Sequence, residues 1–182
     1  MDIQHVFVVL LQVCISGLLP FIQQVASQRH GSSACPYNWQ PYITGNKVTC
    51  LWLSDEKTSW INAMNWCRLM DGQLVELKSR AFNTLLTRMI AVKNTGKYWI
   101  GLTNMENERV FRWMTTKETV NPMDPWMSFF KPGQQLIGQP KHCVNTDEKG
   151  EWTVESCKAE FWFICQKNNR IKGSSKKVRT RL

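Results

Sequence analysis

Histidine is scarce in this chain, and no arrangement of it suits catalysis. The 182 residues contain three, His5, His30 and His142. His5 lies in an apolar leader, His30 in the stretch entering the domain, and His142 next to a cysteine. A nucleophile held by a base is therefore missing in outline. There is no Gly-x-Ser-x-Gly, no His-Glu-x-x-His and no phosphate-binding glycine loop. Glu151 and Glu155 flank a strand tryptophan, which is ordinary surface chemistry. These absences point away from an enzyme. There is also no Asn-x-Ser/Thr acceptor, so no N-linked glycan is expected. Internal repeats and low-complexity blocks are lacking, and acidic residues are outnumbered, 14 against 23 Lys and Arg.

The shortage of acid is local. From Gln28 to Gln166 there are 16 basic and 13 acidic side chains, whereas Lys167 to Leu182 holds seven basic residues and no acidic one. That last stretch has too little apolar content to order itself. Lys172, Lys176, Lys177, Arg179 and Arg181 are its candidate polyanion contacts, because clustered charge attracts sulfated glycan without needing a fold. A solvated tail is the plainer reading. Nucleic acid is not expected as a partner.

Residues Val6 to Ile22 form the one long apolar run, broken by Gln12, Ser16 and Gly17. Val25-Ala26-Ser27 supplies the small residues a signal peptidase accepts, so residues 1–27 read as a cleaved signal peptide and the protein as secreted. A retained anchor is the competing reading. The run is short for a spanning helix, it lacks a basic cytoplasmic flank, and Arg29 follows on the side that would be outside. No stable membrane insertion is expected. Cleavage removes Cys14 and leaves Cys35, Cys50, Cys67, Cys143, Cys157 and Cys165. An even count in an oxidising compartment reads as a disulfide framework, with the pairing left open by the count alone. No cysteine remains for an interchain bridge.

Apolar spacing places a helix over Lys57–Met70, with Trp60, Ala63, Met64, Cys67, Leu69 and Met70 recurring and Thr58 as its cap. Leu74–Leu77 reads as a short strand. Ser79 caps a second helix whose Phe82, Leu85, Leu86 and Met89 share a face. Tyr98–Leu102, Val110–Met114, His142–Asn145, Trp152–Glu155 and Phe161–Gln166 read as strands. Between Met114 and Cys143 lies a long segment with Pro122, Pro125, Pro132 and Pro140, and a loop of that length is usually functional or disordered.

The six cysteines, the Trp99-Ile100-Gly101-Leu102 tetrapeptide, Trp60 through Cys67, Gly72-Gln73-Leu74, Phe111-Arg112-Trp113 and Glu151-Trp152 occur in an order that resembles the C-type lectin-like domain in its long form. The resemblance covers almost the whole of Cys35 to Gln166 and suggests a secreted single-domain member, with the domain at residues 28–166 and a basic tail at 167–182. It implies an α+β fold with two helices packed on antiparallel sheets, a long loop region and three disulfides. The implied pairs are Cys35–Cys50, Cys67–Cys165 and Cys143–Cys157. It also implies extracellular recognition, as in innate defence. Trp99, Trp113 and Trp152 fall in strands, where they are expected in the core rather than on a sugar-stacking platform.

The same resemblance implies a calcium site that these residues do not supply. Sugar-binding members draw ligands from a Glu-Pro-Asn or Gln-Pro-Asp triplet, an acid two positions before the third strand cysteine, and an Asn-Asp pair after the strand tryptophan. Here those positions are Gln134-Gln135-Leu136, Lys141 and Thr153-Val154. Calcium takes six to eight oxygens, mostly from carboxylates and amides. No metal or other cofactor is expected, although Asp124 and Gln139 are further oxygen donors in the loop. Trp126, Met127, Phe129 and Phe130 give the loop an apolar character, with Lys131, Lys141 and His142 around them. Met127 and Phe129 are the aromatic-rich segment's candidates for exposure, and with Gln134, Gln135 and Lys141 they are the candidate ligand contacts. The expected function is recognition of an extracellular protein or glycan without calcium. A calcium-dependent lectin with an irregular site, and a sulfated-polysaccharide binder acting through the tail, are the alternatives.

Overall fold

A computed structural model of the protein describes residues 34–93, 96–121 and 123–170. The leader, His30 and the tail cations from Lys172 onward lie outside the described residues. Among the described residues, nine strands and two α-helices follow one another in chain order. Strands β1 (Gln40–Thr44) and β2 (Lys47–Leu53) form a hairpin. Helix α1 (Trp60–Leu69), strand β3 (Gln73–Leu74) and helix α2 (Arg80–Lys93) come next. The remaining strands are β4 (Tyr98–Thr103), β5 (Phe111–Trp113), β6 (Thr119–Val120), β7 (Cys143–Thr146), β8 (Trp152–Glu155) and β9 (Trp162–Arg170).

The sheet runs in the order β1-β2-β9-β4-β5-β6, with β3 against β9 and the β7–β8 pair against β4. It is mixed rather than wholly antiparallel, because β4 and β9 run parallel through Tyr98↔Trp162 and Trp99↔Phe163. β9 also continues beyond Gln166, which the sequence reading takes as the end of the domain. Lys47–Cys50 of β2 offer it partners as far as Arg170, and the continuing ladder satisfies backbone groups on both strands.

Helix α1 begins at Trp60, three residues later than the apolar spacing suggests, and its cap moves by one. Ser59, not Thr58, caps it, accepting a hydrogen bond from the Asn62 N–H at 3.4 Å. Thr58 instead pairs as an isolated bridge with Phe161. Leu69, counted with the apolar spacing, is 80% exposed. Ser79 caps α2 as expected, taking the Phe82 N–H at 3.1 Å.

Two cores flank β4, all six residues of which are buried. The larger joins Phe82, Leu86 and Ile90 of α2 to Leu51, Ile100, Leu102, Val144, Trp152 and Ile164. The smaller joins Trp60, Ala63 and Cys67 of α1 to Leu74, Trp99 and Phe163. Buried indoles need hydrogen-bond acceptors, and three of them have one. Trp60 donates to the Ile100 carbonyl at 2.8 Å, Trp99 to that of Thr58 at 2.9 Å and Trp152 to Asn83 Oδ1 at 3.3 Å. The glycine of the Trp-Ile-Gly-Leu segment answers a steric need. A Cβ on Gly101 would sit 3.0 Å from the Leu74 carbonyl oxygen and 3.2 Å from that of Val75, while its own N–H bonds Val75 O at 2.8 Å. Three disulfides close the fold: Cys35–Cys50, Cys67–Cys165 and Cys143–Cys157.

Candidate recognition site

The long segment between β5 and β7 is not uniformly free. It forms β6, then a 3-10 turn at Pro125–Phe129. Proline at the first turn position has no N–H to leave unsatisfied. Aromatic rings hold this half down. Phe130 is buried and lies 5.0 Å from the Phe111 ring and 5.6 Å from that of Trp152. Phe129 stacks against Trp126 at 6.1 Å and tilts onto Trp152 at 5.2 Å. Arg80, at the start of α2, clamps it from outside, donating to Ser128 Oγ at 3.2 Å with its guanidinium over the Phe129 ring.

Met127 and Phe129 are half-buried and packed against the main core, not exposed. The apolar residues that do stand out on the loop are Met123, 94% exposed, and Ile137, 49% exposed. Neither carries a sequence signal, because exposure on a non-periodic segment depends on which neighbours fold over it.

The second half of the loop is fixed by polar contacts. The Lys131 N–H bonds the Trp152 carbonyl at 2.9 Å, extending the pairing of the loop along β8. Two residues further along β8, Gln134 Nε2 donates to the Val154 carbonyl at 3.0 Å. Gln135 donates to the Ile137 carbonyl at 3.0 Å and accepts from Gln139 Nε2 at 2.9 Å, so both glutamines serve the loop's own curvature.

Lys141 sets the electrostatics of the rim. Its Nζ lies 3.3 Å from Glu155 Oε2, and Lys97 Nζ lies 3.3 Å from Glu155 Oε1. One carboxylate thus faces two ammonium groups. Half-buried His142 has Nδ1 3.1 Å from Asn104 Oδ1, and its Nε2 is 4.0 Å from Glu108. Its neighbours are an amide and a surface acid, which orient the ring but offer no nucleophile.

Whether calcium fits these residues can be judged from the donors. Thr153 is spent on Asn145, its hydroxyl donating to Oδ1 at 2.6 Å. Val154 is in the core, 1% exposed, and its carbonyl is taken by Gln134. Asp124 accepts from the Asn121 N–H at 2.7 Å, within its own turn. Among the described residues, Gln134 Oε1 is the one buried side-chain oxygen of the loop without a partner, and it is a neutral amide. A single amide oxygen does not make a hard-cation site. The described residues hold no cluster of three or more His, Cys, Asp or Glu placed to share a metal.

The sequence model of the Lectin C-type domain matches residues 56–167. Among characterised proteins, the mouse (Mus musculus) secretory phospholipase A2 receptor is 25% identical over 150 residues, which cover 80% of this chain and 9% of the receptor. The chain spans less than half the length of the first such relatives it matches. Among solved structures, the cow C-type carbohydrate-recognition domain of CD23, determined in the presence of a GlcNAc2Man3 oligosaccharide, is 29% identical with a TM-score of 0.60. It covers 73% of this chain and 95% of its own. The C-type lectin domain of murine dendritic cell inhibitory receptor 2, in complex with N-glycan, is 26% identical with a TM-score of 0.60, covering 73% and 98%.

Proposed function

The chain belongs to the C-type lectin domain family, and from that premise we propose that it is a secreted recognition module that binds a protein or glycan through its long-loop face without calcium. It is not an enzyme, in keeping with the family. Three disulfides support an oxidising, extracellular setting. Relatives solved with a GlcNAc2Man3 oligosaccharide and with an N-glycan favour a glycan as one ligand class.

The observation that carries the calcium-free reading is the Gln134 amide on the Val154 carbonyl. An N–H donor occupies a lone pair of a backbone oxygen two residues after the strand tryptophan, so protein groups supply this anchor of the loop. Lys141, held on Glu155, adds a cation that repels a divalent metal. The surface left for a ligand combines exposed Met123 and Ile137 with the exposed cations Lys131 and Lys141. Apolar side chains rimmed by charge suit a partner that presents both apolar and anionic groups.

A broad glycan array probed with the mature protein, in calcium and again in chelator, tests this reading. Binding that survives chelator and falls on Met123→Ser or Ile137→Ser substitution is the expected result. Silence on the array, with capture of a cell-surface protein that depends on the same residues, supports the protein-ligand branch. Sugar binding lost in chelator overturns the proposal.

A further inference from the structure

A second surface, away from the long loop, has the chemistry of a polyanion site. Two concavities adjoin where α1 runs down to β3. One, of about 420 Å³, is lined by Arg68, Gln73, Lys167 and Asn168 among others. The other, of about 310 Å³, is lined by Arg68, Gln73, Thr115 and Lys117 among others. Because they share Arg68, Gly72 and Gln73, they make one trough with a cation at each end and one in the middle.

The three cations differ in how they are held. Lys167 is the fixed one, with its side chain 19% exposed. Its Nζ donates to the Met70 carbonyl at 3.0 Å, lies 3.6 Å from Asp71 and sits over the Trp39 ring at 5.5 Å. Holding the ammonium in place lowers the ordering cost of binding. Lys117 is half exposed and 3.4 Å from Glu106, a surface pairing that an incoming anion replaces cheaply. Arg68, in the last turn of α1, is exposed and makes no ion pair among the described residues. Its planar fork matches a sulfate in two-point contact. Among the described residues, Asp71 is the only acid lining the trough, and it is 98% exposed at the edge. The carboxamides of Gln73 and Asn168 add hydrogen-bonding groups between the charges.

We propose that this trough binds a linear sulfated polysaccharide, with Arg68 and Lys117 as the mobile contacts and Lys167 as the fixed one. A concave, elongated surface with spaced cations suits a chain of sulfated sugars. A flat anionic bilayer reaches only its edges. The site is separate from the long-loop reading and depends on neither Gln134 nor calcium.

The test is salt elution of the full secreted chain from immobilised heparin and, in parallel, from a sulfopropyl cation exchanger. The comparison variant is Arg68→Gln with Lys117→Gln. Both side chains are exposed, so an unchanged melting temperature is the check on folding. The tail is present in both proteins and cancels. The wild type should elute later from heparin than from the exchanger. The double variant should elute earlier from heparin, by a larger shift than on the exchanger. The slope of log affinity against log salt should fall by about 2, one for each contact removed. A variant that elutes from heparin with the wild type would assign polyanion binding to the tail alone. Equal shifts on both matrices would reduce the effect to net charge. Either result overturns the trough.

Discussion

Two side chains show how single residues hold this surface in place. Gln134 bridges the loop to β8, and its partner, the Val154 carbonyl, lies in a buried strand. Gln134→Leu leaves that carbonyl without a donor, at about 1–2 kcal/mol. Urea unfolding should show a lower midpoint with an unchanged slope, and adding calcium should not restore it. Glu76 is the second case. Its carboxylate, 2% exposed, accepts the Thr115 N–H at 2.9 Å, the Thr116 N–H at 3.0 Å and the Thr116 hydroxyl at 2.9 Å, with Lys78 Nζ at 3.2 Å. Glu76→Gln keeps the shape but turns an N–H₂ toward these donors. A loss of about 2 kcal/mol is expected in the same measurement, since charge-assisted bonds are the strong ones. In the sequence, Glu76 looks like one alternating polar position in a strand. Its role depends on a turn 39 residues away in the chain, and no local pattern carries that information.

Among the elements, the helices and the central strands were legible because each carries its own periodicity and punctuation. Ser79 and the Phe82-Leu86 face of α2 fall where the pattern puts them. The β1–β2 hairpin was not legible. β1 is mostly exposed, and its pairing with β2 rests on a Gly45-Asn46 turn in a stretch without clear alternation. The ends of β9 were hidden for the same reason, since β2 is what extends it. One inter-element contact gives a sharp test. Gly150, in the β7–β8 turn at φ +75°, lies against α2, and a Cβ there would come within 2.7 Å of Thr87 Oγ1 and 3.0 Å of Asn83 Nδ2. Asn83 also bonds the Gly150 carbonyl and the Trp152 indole. Gly150→Ala combines a positive φ with a clash against a helix, and should cost about 2–3 kcal/mol, read as a lower melting temperature.

For the whole molecule, the order of cysteines, tryptophans and glycines points to the fold. The disulfide pairs Cys35–Cys50, Cys67–Cys165 and Cys143–Cys157 agree with that resemblance. The parallel β4–β9 contact was out of reach, because strand direction across the sheet is set by the long-range path rather than by either strand's composition. The binding surface was the least legible part. Its residue types were visible in the loop, but which of them face solvent follows from how Phe129, Phe130 and Trp152 pack. The proposal that the loop binds without calcium rests on Gln134, Lys141 and Thr153-Val154, the positions where the sequence departs from the sugar-binding pattern. Calorimetric titration of the chelator-treated mature protein with calcium, paired with thermal unfolding, tests it directly. The account predicts no saturable heat and the same melting temperature in about 10 mM calcium as in chelator. A site with a dissociation constant of about 0.1 mM would stabilise the fold by about 2.7 kcal/mol at that concentration. Saturable heat together with a rise of several degrees would contradict the calcium-free reading.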